Sequence, residues 1–226
     1  MICSAGLIVA ITCTFYSILL SFLLMAVHKP VAKAGIYFIT FSCFKWLNLI
    51  GKTNAYDVVC SFFSYLNQKG HQVVGYTIMP NHVLLLLFFG ADVKSLNKVI
   101  GNLKRFIGYG IIKRLQAQND KERLTLLSQG VVDAERKRGK LHQLWQGSFD
   151  AKQCRTEKFI LQKLNYMHQN PCVERWGLCK NTYDYAYSSA AFYEIGRRQN
   201  PLVRDYQQFM GVLLELEERE RDERNR

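Results

Sequence analysis

The fold is decided by residues 71–90, HQVVGYTIMPNHVLLLLFFG. This stretch holds two apolar runs, Val73–Met79 and Val83–Phe89, separated by a Pro-Asn pair at positions 80 and 81. Short apolar runs rich in β-branched residues on either side of a Pro-Asn break are typical of two adjacent antiparallel strands. Proline cannot donate a hydrogen bond to a strand ladder, so it belongs at a strand end. His82 therefore opens the second strand, ahead of seven apolar residues.

The residues around His82 resemble a known signature. Residues 78–83, IMPNHV, are similar to the MPNHVH motif of the HUH single-tyrosine transposases, in the branch called REP-associated tyrosine transposases. In that family two histidines flank one hydrophobic residue on a central strand. Residues i and i+2 of a strand point to the same face, so both imidazoles can hold one divalent metal ion. Here Leu84 stands at the second position and cannot be a ligand. A lone histidine entering a buried strand can equally be a structural residue.

Three further blocks follow in the order of the same family. They are LWQGSFDAK at 144–152, TEKFILQKLNYMHQNP at 156–171 and YDYAYSSAAFY at 183–193. The spacing of the second block predicts a helix over 157–170 with one buried stripe, and it places Lys163, Tyr166 and Asn170 together on the opposite face. Pro171 disfavours helical conformation in the residue before it, so we expect Asn170 at the helix end.

The resemblance covers roughly residues 34–193 and carries specific implications. It implies an α+β, ferredoxin-like fold, an antiparallel sheet with helices packed on one face. It implies that Tyr166 is the nucleophile and that His82 and Asn170 bind a metal, Mg²⁺ or Mn²⁺, at a site weakened by Leu84. A tyrosine hydroxyl attacking single-stranded DNA near a hairpin forms a phosphotyrosine and releases a 3′ hydroxyl. Lys163 could hold the phosphate, or it could be a solvated surface lysine.

Charge supports a polyanionic partner. The net charge is +12, and six acidic and four basic residues lie from Glu215 onward, so residues 1–214 carry an excess of 14 positive charges. Such an excess favours nucleic acid, although it can also serve solubility alone. A second helix is predicted over 94–115, and its polar side offers phosphate contacts from Lys104, Arg105, Lys113 and Arg114. Residues 116–143 are polar, and we interpret them as a loop after a partial helix.

The ends of the chain divide it into three parts. Residues 1–27 form an apolar segment long enough for a membrane-spanning helix, which needs about 20 residues. We favour a start codon assigned too far upstream over a genuine anchor, and therefore expect a cytoplasmic protein. Residues 34–193 form the transposase-like domain, and 194–226 form a charged tail. Seven scattered cysteines without a CxxC pair indicate reduced thiols rather than a disulfide frame or a zinc site.

Two hypotheses from different classes follow. In one, the chain cleaves and rejoins single-stranded DNA through Tyr166 with a weakened metal site. In the other, it binds hairpin DNA without cutting it. The sequence gives no sign of a protein partner.

Overall fold

A computed structural model describes residues 34–90, 95–147, 149–197 and 199–225, and a four-stranded antiparallel sheet lies at its centre. The strands are β1 (Gly35–Ser42), β2 (Gln72–Ile78), β3 (His82–Phe89) and β4 (Asp150–Cys154), in the order β2-β3-β1-β4. The first and third strands are therefore central, and the second and fourth form the edges. With a helix between β1 and β2 and another between β3 and β4, this is the predicted ferredoxin-like arrangement. The apolar segment 1–27 lies outside the described residues.

The hairpin predicted from residues 71–90 is confirmed. Strands β2 and β3 pair antiparallel, and the backbone N–H of Met79 donates to the carbonyl of His82 across the Pro-Asn turn (2.8 Å). The pairing shifts between Val73 and Gly75, where β2 carries a bulge. A Cβ on Gly75 would lie 2.7 Å from Leu164 Cδ2. Glycine at this position therefore allows a helix to pack directly on the strand.

Eight α-helices lie within the described ranges. They are α1 (Leu49–Lys52), α2 (Tyr56–Gln68), α3 (Leu96–Ala117), α4 (Lys121–Gln129), α5 (Asp133–Arg136), α6 (Glu157–Gln169), α7 (Ala190–Glu194) and α8 (Met210–Arg224). Strand residues alternate between two cores, because successive side chains of a strand point to opposite faces. The first face carries Ile39, Leu85 and Leu87 and is covered by α2 and α3.

The second face carries Ile36, Phe38, Leu84 and Leu86 and is covered by α6. Helices thus lie on both faces of the sheet rather than on one, because the bulged β2 and central β3 are apolar on both sides. Residues that we expected to form a separate charged tail also belong to this core. Tyr206 and Leu213 are buried on the second face, and Arg155 pairs with Glu220 of α8 at 2.8 Å.

Residues 116–143 were expected to form a partial helix followed by a loop, but they contain two helices, α4 and α5, so the helical part is longer than predicted. The side chain of Asp120 caps α4 by accepting from the backbone N–H of Arg123 (3.1 Å), and Leu127 is buried in the first-face core. One buried leucine and an N-terminal cap stabilise α4, although this helix is too polar to be predicted from hydrophobic periodicity. No helix in the described part of the chain is both long and apolar enough to cross a membrane.

Candidate functional site

Helix α6 presents Tyr166 above the second face of the sheet. Thr156 caps the helix by accepting from the N–H of Phe159, and Ile160, Leu164 and Met167 bury its apolar stripe. Tyr166 lies on the other side, 48% exposed, with its ring edge-to-face with Phe38 (6.0 Å between centroids). No hydrogen bond engages its hydroxyl within the described residues. The contact with Phe38 therefore holds the aromatic ring of Tyr166, while no hydrogen bond within the described residues restrains its hydroxyl.

Lys163 lies beside Tyr166, as the helical spacing predicted. Its Nζ is 5.0 Å from the ring centroids of both Phe38 and Phe159, and 5.8 Å from that of Tyr166. Desolvation, and then the charge of Lys152, lower the pKa of Lys163. Asp150 is near enough for its charge to oppose this shift, but no carboxylate of the described ranges forms an ion pair with Lys163. A cation held among aromatic rings in this way is suited to receive an anion.

His82 opens β3 on the same face and is buried, with 6% of its surface exposed. The Asn81 side chain fixes the tautomer of the His82 ring. Asn81 Nδ2 donates to the carbonyl of Trp46 (3.0 Å), which can only accept, so Asn81 Oδ1 must face His82 Nδ1 at 2.7 Å. His82 Nδ1 therefore carries the proton, and Nε2 offers a lone pair.

The His82 ring is neutral at physiological pH. Burial, followed by the positive charge of Arg175, lowers its pKa to about 4, against a smaller opposing effect of the nearby Asn170 side chain. Asn170 follows the last residue of α6 and is 9% exposed, and its Oδ1 has no hydrogen-bond partner. The α-helix ends where predicted, but Asn170 itself keeps helical backbone angles (φ −54°, ψ −43°) and begins a 3-10 turn, Asn170–Cys172. This end of α6 lies next to His82.

These residues do not complete a three-ligand metal site. His82 Nε2 and Asn170 Oδ1 are two potential donors, but Leu84, on the same strand face, is 2% exposed within the second core and offers none. Among the described residues, no cluster of three or more His, Cys, Asp or Glu side chains could hold a metal ion. Two donors hold a divalent ion more weakly than three, because Mg²⁺ or Mn²⁺ would depend on water and on the substrate phosphate for its remaining ligands.

Two tryptophans flank His82, and no sequence pattern predicted that either would lie there. Trp46 is 51% exposed with its ring 6.0 Å from that of His82, and Trp176 lies 5.9 Å away. Trp46 and its neighbour Lys45 both adopt left-handed backbone conformations (φ 58° and 51°). Such strain costs about 1–3 kcal/mol per residue and concentrates at functional sites. The position of Trp46 is therefore imposed by its surroundings.

The basic residues predicted on α3 do not join this site, because α3 covers the first face and α6 the second. Lys104 donates to the carbonyl of Gly147 (3.1 Å), and burial lowers its pKa to about 8. Arg114 bonds Asp57 (2.6 Å) and the carbonyls of Thr53 and Asn54. The guanidinium of Arg114 therefore has a structural role. Arg105 and Lys113 remain exposed and form, at most, a separate basic surface.

His168 also lies on α6, but its side chain points into the interior of the protein. It is 2% exposed, and its Nε2 bonds Ser189 Oγ at 2.9 Å. Burial lowers its pKa to about 4 even though Glu194 Oε1 lies 3.4 Å from Nδ1. Ser189 Oγ also accepts from the backbone N–H of Tyr76 (2.9 Å). This pair ties α6 to β2 and leaves His168 unavailable as a ligand.

No family model matches the sequence, and no curated protein matches it. Among solved structures, the chain is similar to a REP-associated tyrosine transposase bound to a REP hairpin, with a TM-score of 0.52 and 14% identity over 80% of this chain and 91% of the other. A candidate transposase from Deinococcus radiodurans R1 gives a TM-score of 0.33 and 14% identity over 64% of this chain and 97% of the other. The first likeness establishes a shared fold.

Proposed function

We propose that this chain binds single-stranded DNA next to a hairpin, on the second face of its sheet. One observation carries the proposal: Lys163 and the half-exposed Tyr166 stand together on α6, a cation and an open aromatic ring 5.8 Å apart. A positive charge that meets the phosphate and an aromatic ring on which a base can stack are the two elements of single-strand recognition. The shared fold with a transposase bound to a REP hairpin supports this reading.

The flanking tryptophans extend the same surface. Trp46 offers an exposed indole at the edge of His82, and base stacking on an aromatic side chain is worth about 1–3 kcal/mol. The proposed path for the strand runs over the Tyr166 helix toward His82. It requires no metal ion, since each contact uses a side chain of the chain itself.

The experiment compares Lys163→Gln with Lys158→Gln. Both lysines are on α6 and both changes remove one charge, but Lys158 is exposed and about 140° around the helix from Lys163. We expect Lys163→Gln to weaken binding of a labelled hairpin with a single-stranded flank about tenfold, and Lys158→Gln to leave it within about twofold. Fluorescence anisotropy over a range of salt concentrations measures both. Equal losses in the two variants, or wild-type binding that ignores salt, contradict the proposal.

A second candidate function is strand cleavage by Tyr166, favoured by its unengaged hydroxyl. The phenolic oxygen attacks the phosphorus and loses its proton, while the bond to the 3′ oxygen breaks and that oxygen gains a proton. Lys163 holds the negative charge of the phosphate during attack. With two donors in place of three, the expected Mg²⁺ or Mn²⁺ contributes little, so we propose slow cleavage at most. The test is covalent transfer of a 5′-phosphoryl strand to the protein, lost in Tyr166→Phe.

A further inference from the structure

Arg175 lies in the loop that follows α6, beside the incomplete metal site. Its guanidinium carbon is 5.0 Å from the ring centroid of Trp176, and that ring is 5.9 Å from His82. Arg175 is exposed and has no acidic partner within the described residues. Its charge therefore has no ion-pair partner, and it lies close to His82 across the Trp176 ring.

We propose that Arg175 binds a DNA phosphate beside His82, taking the place that a third metal ligand and its cation would otherwise fill. The inference rests on the proposed function and assigns it a residue. An arginine presents a planar fork of N–H donors that matches two phosphate oxygens, and its charge cannot be removed at physiological pH. Leu84 removes a ligand, and Arg175 supplies a fixed positive charge within the same pocket.

Two further features of the pocket fit an anionic guest. The indole Nε1 of Trp176 is buried and has no hydrogen-bond partner, so it is an unsatisfied N–H that a phosphate oxygen would satisfy if the Trp176 side chain shifted on binding. The stacking of Arg175 on Trp176 holds the guanidinium in one orientation and lowers the entropy lost on binding. The charge of Arg175 also reaches His82, because it contributes to the lowered pKa of that ring. All of these contacts are made without a metal.

The experiment measures binding of the flanked hairpin to the full chain, in excess EDTA and in Mg²⁺. Wild-type affinity should be the same in both within about twofold. Arg175→Gln should bind about tenfold more weakly and show a salt slope smaller by about 0.7–0.9, the value of one phosphate contact. Arg175→Lys should bind with an affinity between those of wild type and Arg175→Gln, since lysine keeps the charge but lacks the planar fork of N–H donors. Arg219→Gln, the same change on exposed α8, is the matched control and should leave binding unchanged.

Binding that requires Mg²⁺, or Arg175→Gln and Arg219→Gln with the same slope, overturns the inference. A separate readout keeps it distinct from the proposed function. The side-chain N–H resonance of Arg175 should move on titration with inorganic phosphate even in a protein given no DNA. If wild-type protein binds no hairpin, the proposed function fails; if that resonance does not move, the anion site fails.

The same loop contains a second site, which a different contact reveals. Cys172 Sγ lies 2.9 Å from Cys179 Sγ, and both residues are half-buried. The covalent sulfur–sulfur bond is about 2.05 Å long, so less than 1 Å of approach separates the thiols from a disulfide. The loop between them is already held in place: the N–H of Leu178 donates to the carbonyl of Pro171, and that of Trp176 to Val173, each at 2.9 Å.

We infer that Cys172 and Cys179 form a disulfide when a hydroperoxide is supplied. The peroxide oxidises one thiol to a sulfenic acid and releases water; the other thiol attacks that sulfur, and a second water leaves. Two thiols and one hydrogen peroxide thus give one disulfide and two waters. Because burial and the neighbouring sulfur raise the pKa of Cys179 to about 12, the reaction should be slow near pH 7 and faster in alkali. The bond would close the loop that carries Arg175 and Trp176.

Trypsin provides a direct assay, because it cleaves after Lys163, Arg175 and Lys180 and so puts the two cysteines in separate peptides, 164–175 and 176–180. Peroxide-treated full-length protein should yield these two peptides joined, two hydrogens lighter than their sum. Oxidation should raise Tm by about 5 °C or more, as expected for a loop of this length. Cys60→Ser should behave like wild type, and Cys172→Ser should lose both effects. Absence of the joined peptide, or cysteine 172 or 179 paired elsewhere instead, overturns the inference.

Discussion

Leu84→His tests whether the incomplete site can be restored. Residues 82 and 84 point to the same face of β3, so an imidazole at 84 would stand beside the free Nε2 of His82 and the unpaired Oδ1 of Asn170. The substitution has a cost. Leu84 is 2% exposed in the second core, and replacing a buried leucine by a smaller or polar group costs about 2–5 kcal/mol.

The gain appears only when metal is present. If three ligands bind Mn²⁺ with a Kd of roughly 10 µM, about 1 mM Mn²⁺ stabilises the folded state by about 2.7 kcal/mol. In a domain of this size, that free energy raises Tm by about 5–10 °C. The assay is thermal unfolding with Mn²⁺ and with EDTA. Leu84→His should melt below wild type in EDTA and recover most of the loss in Mn²⁺.

Leu86→His is the matched control. Leu86 is fully buried and lies on the same face two residues further along β3, so it imposes a similar core penalty without adding a ligand to the pocket. Leu86→His should show no response to Mn²⁺, and the double variant with His82→Ala should lose the response. A wild-type protein stabilised as strongly as Leu84→His would refute the reasoning, and so would an equal response in Leu86→His.

Three further predictions concern single side chains. Tyr166→Phe should change Tm by no more than about 2 °C, because the hydroxyl is unengaged, while any covalent DNA adduct disappears from denaturing gels. Ser189→Ala should lower the free energy of unfolding in urea by about 1–3 kcal/mol, since it leaves two buried partners unsatisfied, whereas Ser61→Ala on the exposed side of α2 should have little effect. Burial lowers the pKa of His71, whose ring stacks on Phe89, so the unfolded state gains protons first as pH falls below about 6.5. Stability should therefore be complete above that pH and decline below it. The buried His82 and His168, whose pKa values are lowered to about 4 mainly by burial, contribute to the same decline. His71→Phe should reduce the slope of a urea-midpoint profile without removing it; an unchanged slope would contradict the assignment.

The local elements were predictable, because each is encoded in adjacent residues. The β2–β3 hairpin follows from two apolar runs and Pro80, and α6 ends just before Pro171, although Asn170 keeps helical backbone angles. The relation of Tyr166 to Lys163 follows from helical spacing alone. These features need no knowledge of how distant parts of the chain meet.

Other features depend on tertiary contacts that periodicity does not contain. A helical stripe shows which residues share a side of α3, but not which face of the sheet α3 covers. The predicted phosphate contacts Lys104 and Arg114 therefore lie across the sheet from Tyr166, which the pattern did not indicate. Arg175 and Trp46 are in irregular segments whose positions are fixed by partners far along the sequence. The backbone N–H of Lys45 bonds Gln146 Oε1, for example, at 3.1 Å.

Gly75 affects how far the face of α6 that carries Tyr166 lies from the sheet. The missing Cβ lets Leu164 and Met167 rest directly on β2, and a Cβ there would come within 3.3 Å of Met167 Sδ as well as 2.7 Å of Leu164. The size of the side chain at position 75 thus sets the distance between α6 and the sheet, and with it the distance of Tyr166 from the sheet. Alanine or serine at this position would lift the helix and change which phosphate along a bound strand the phenol meets. If Tyr166 cleaves DNA as proposed, the position of cleavage would then shift although no residue proposed to contact DNA has changed.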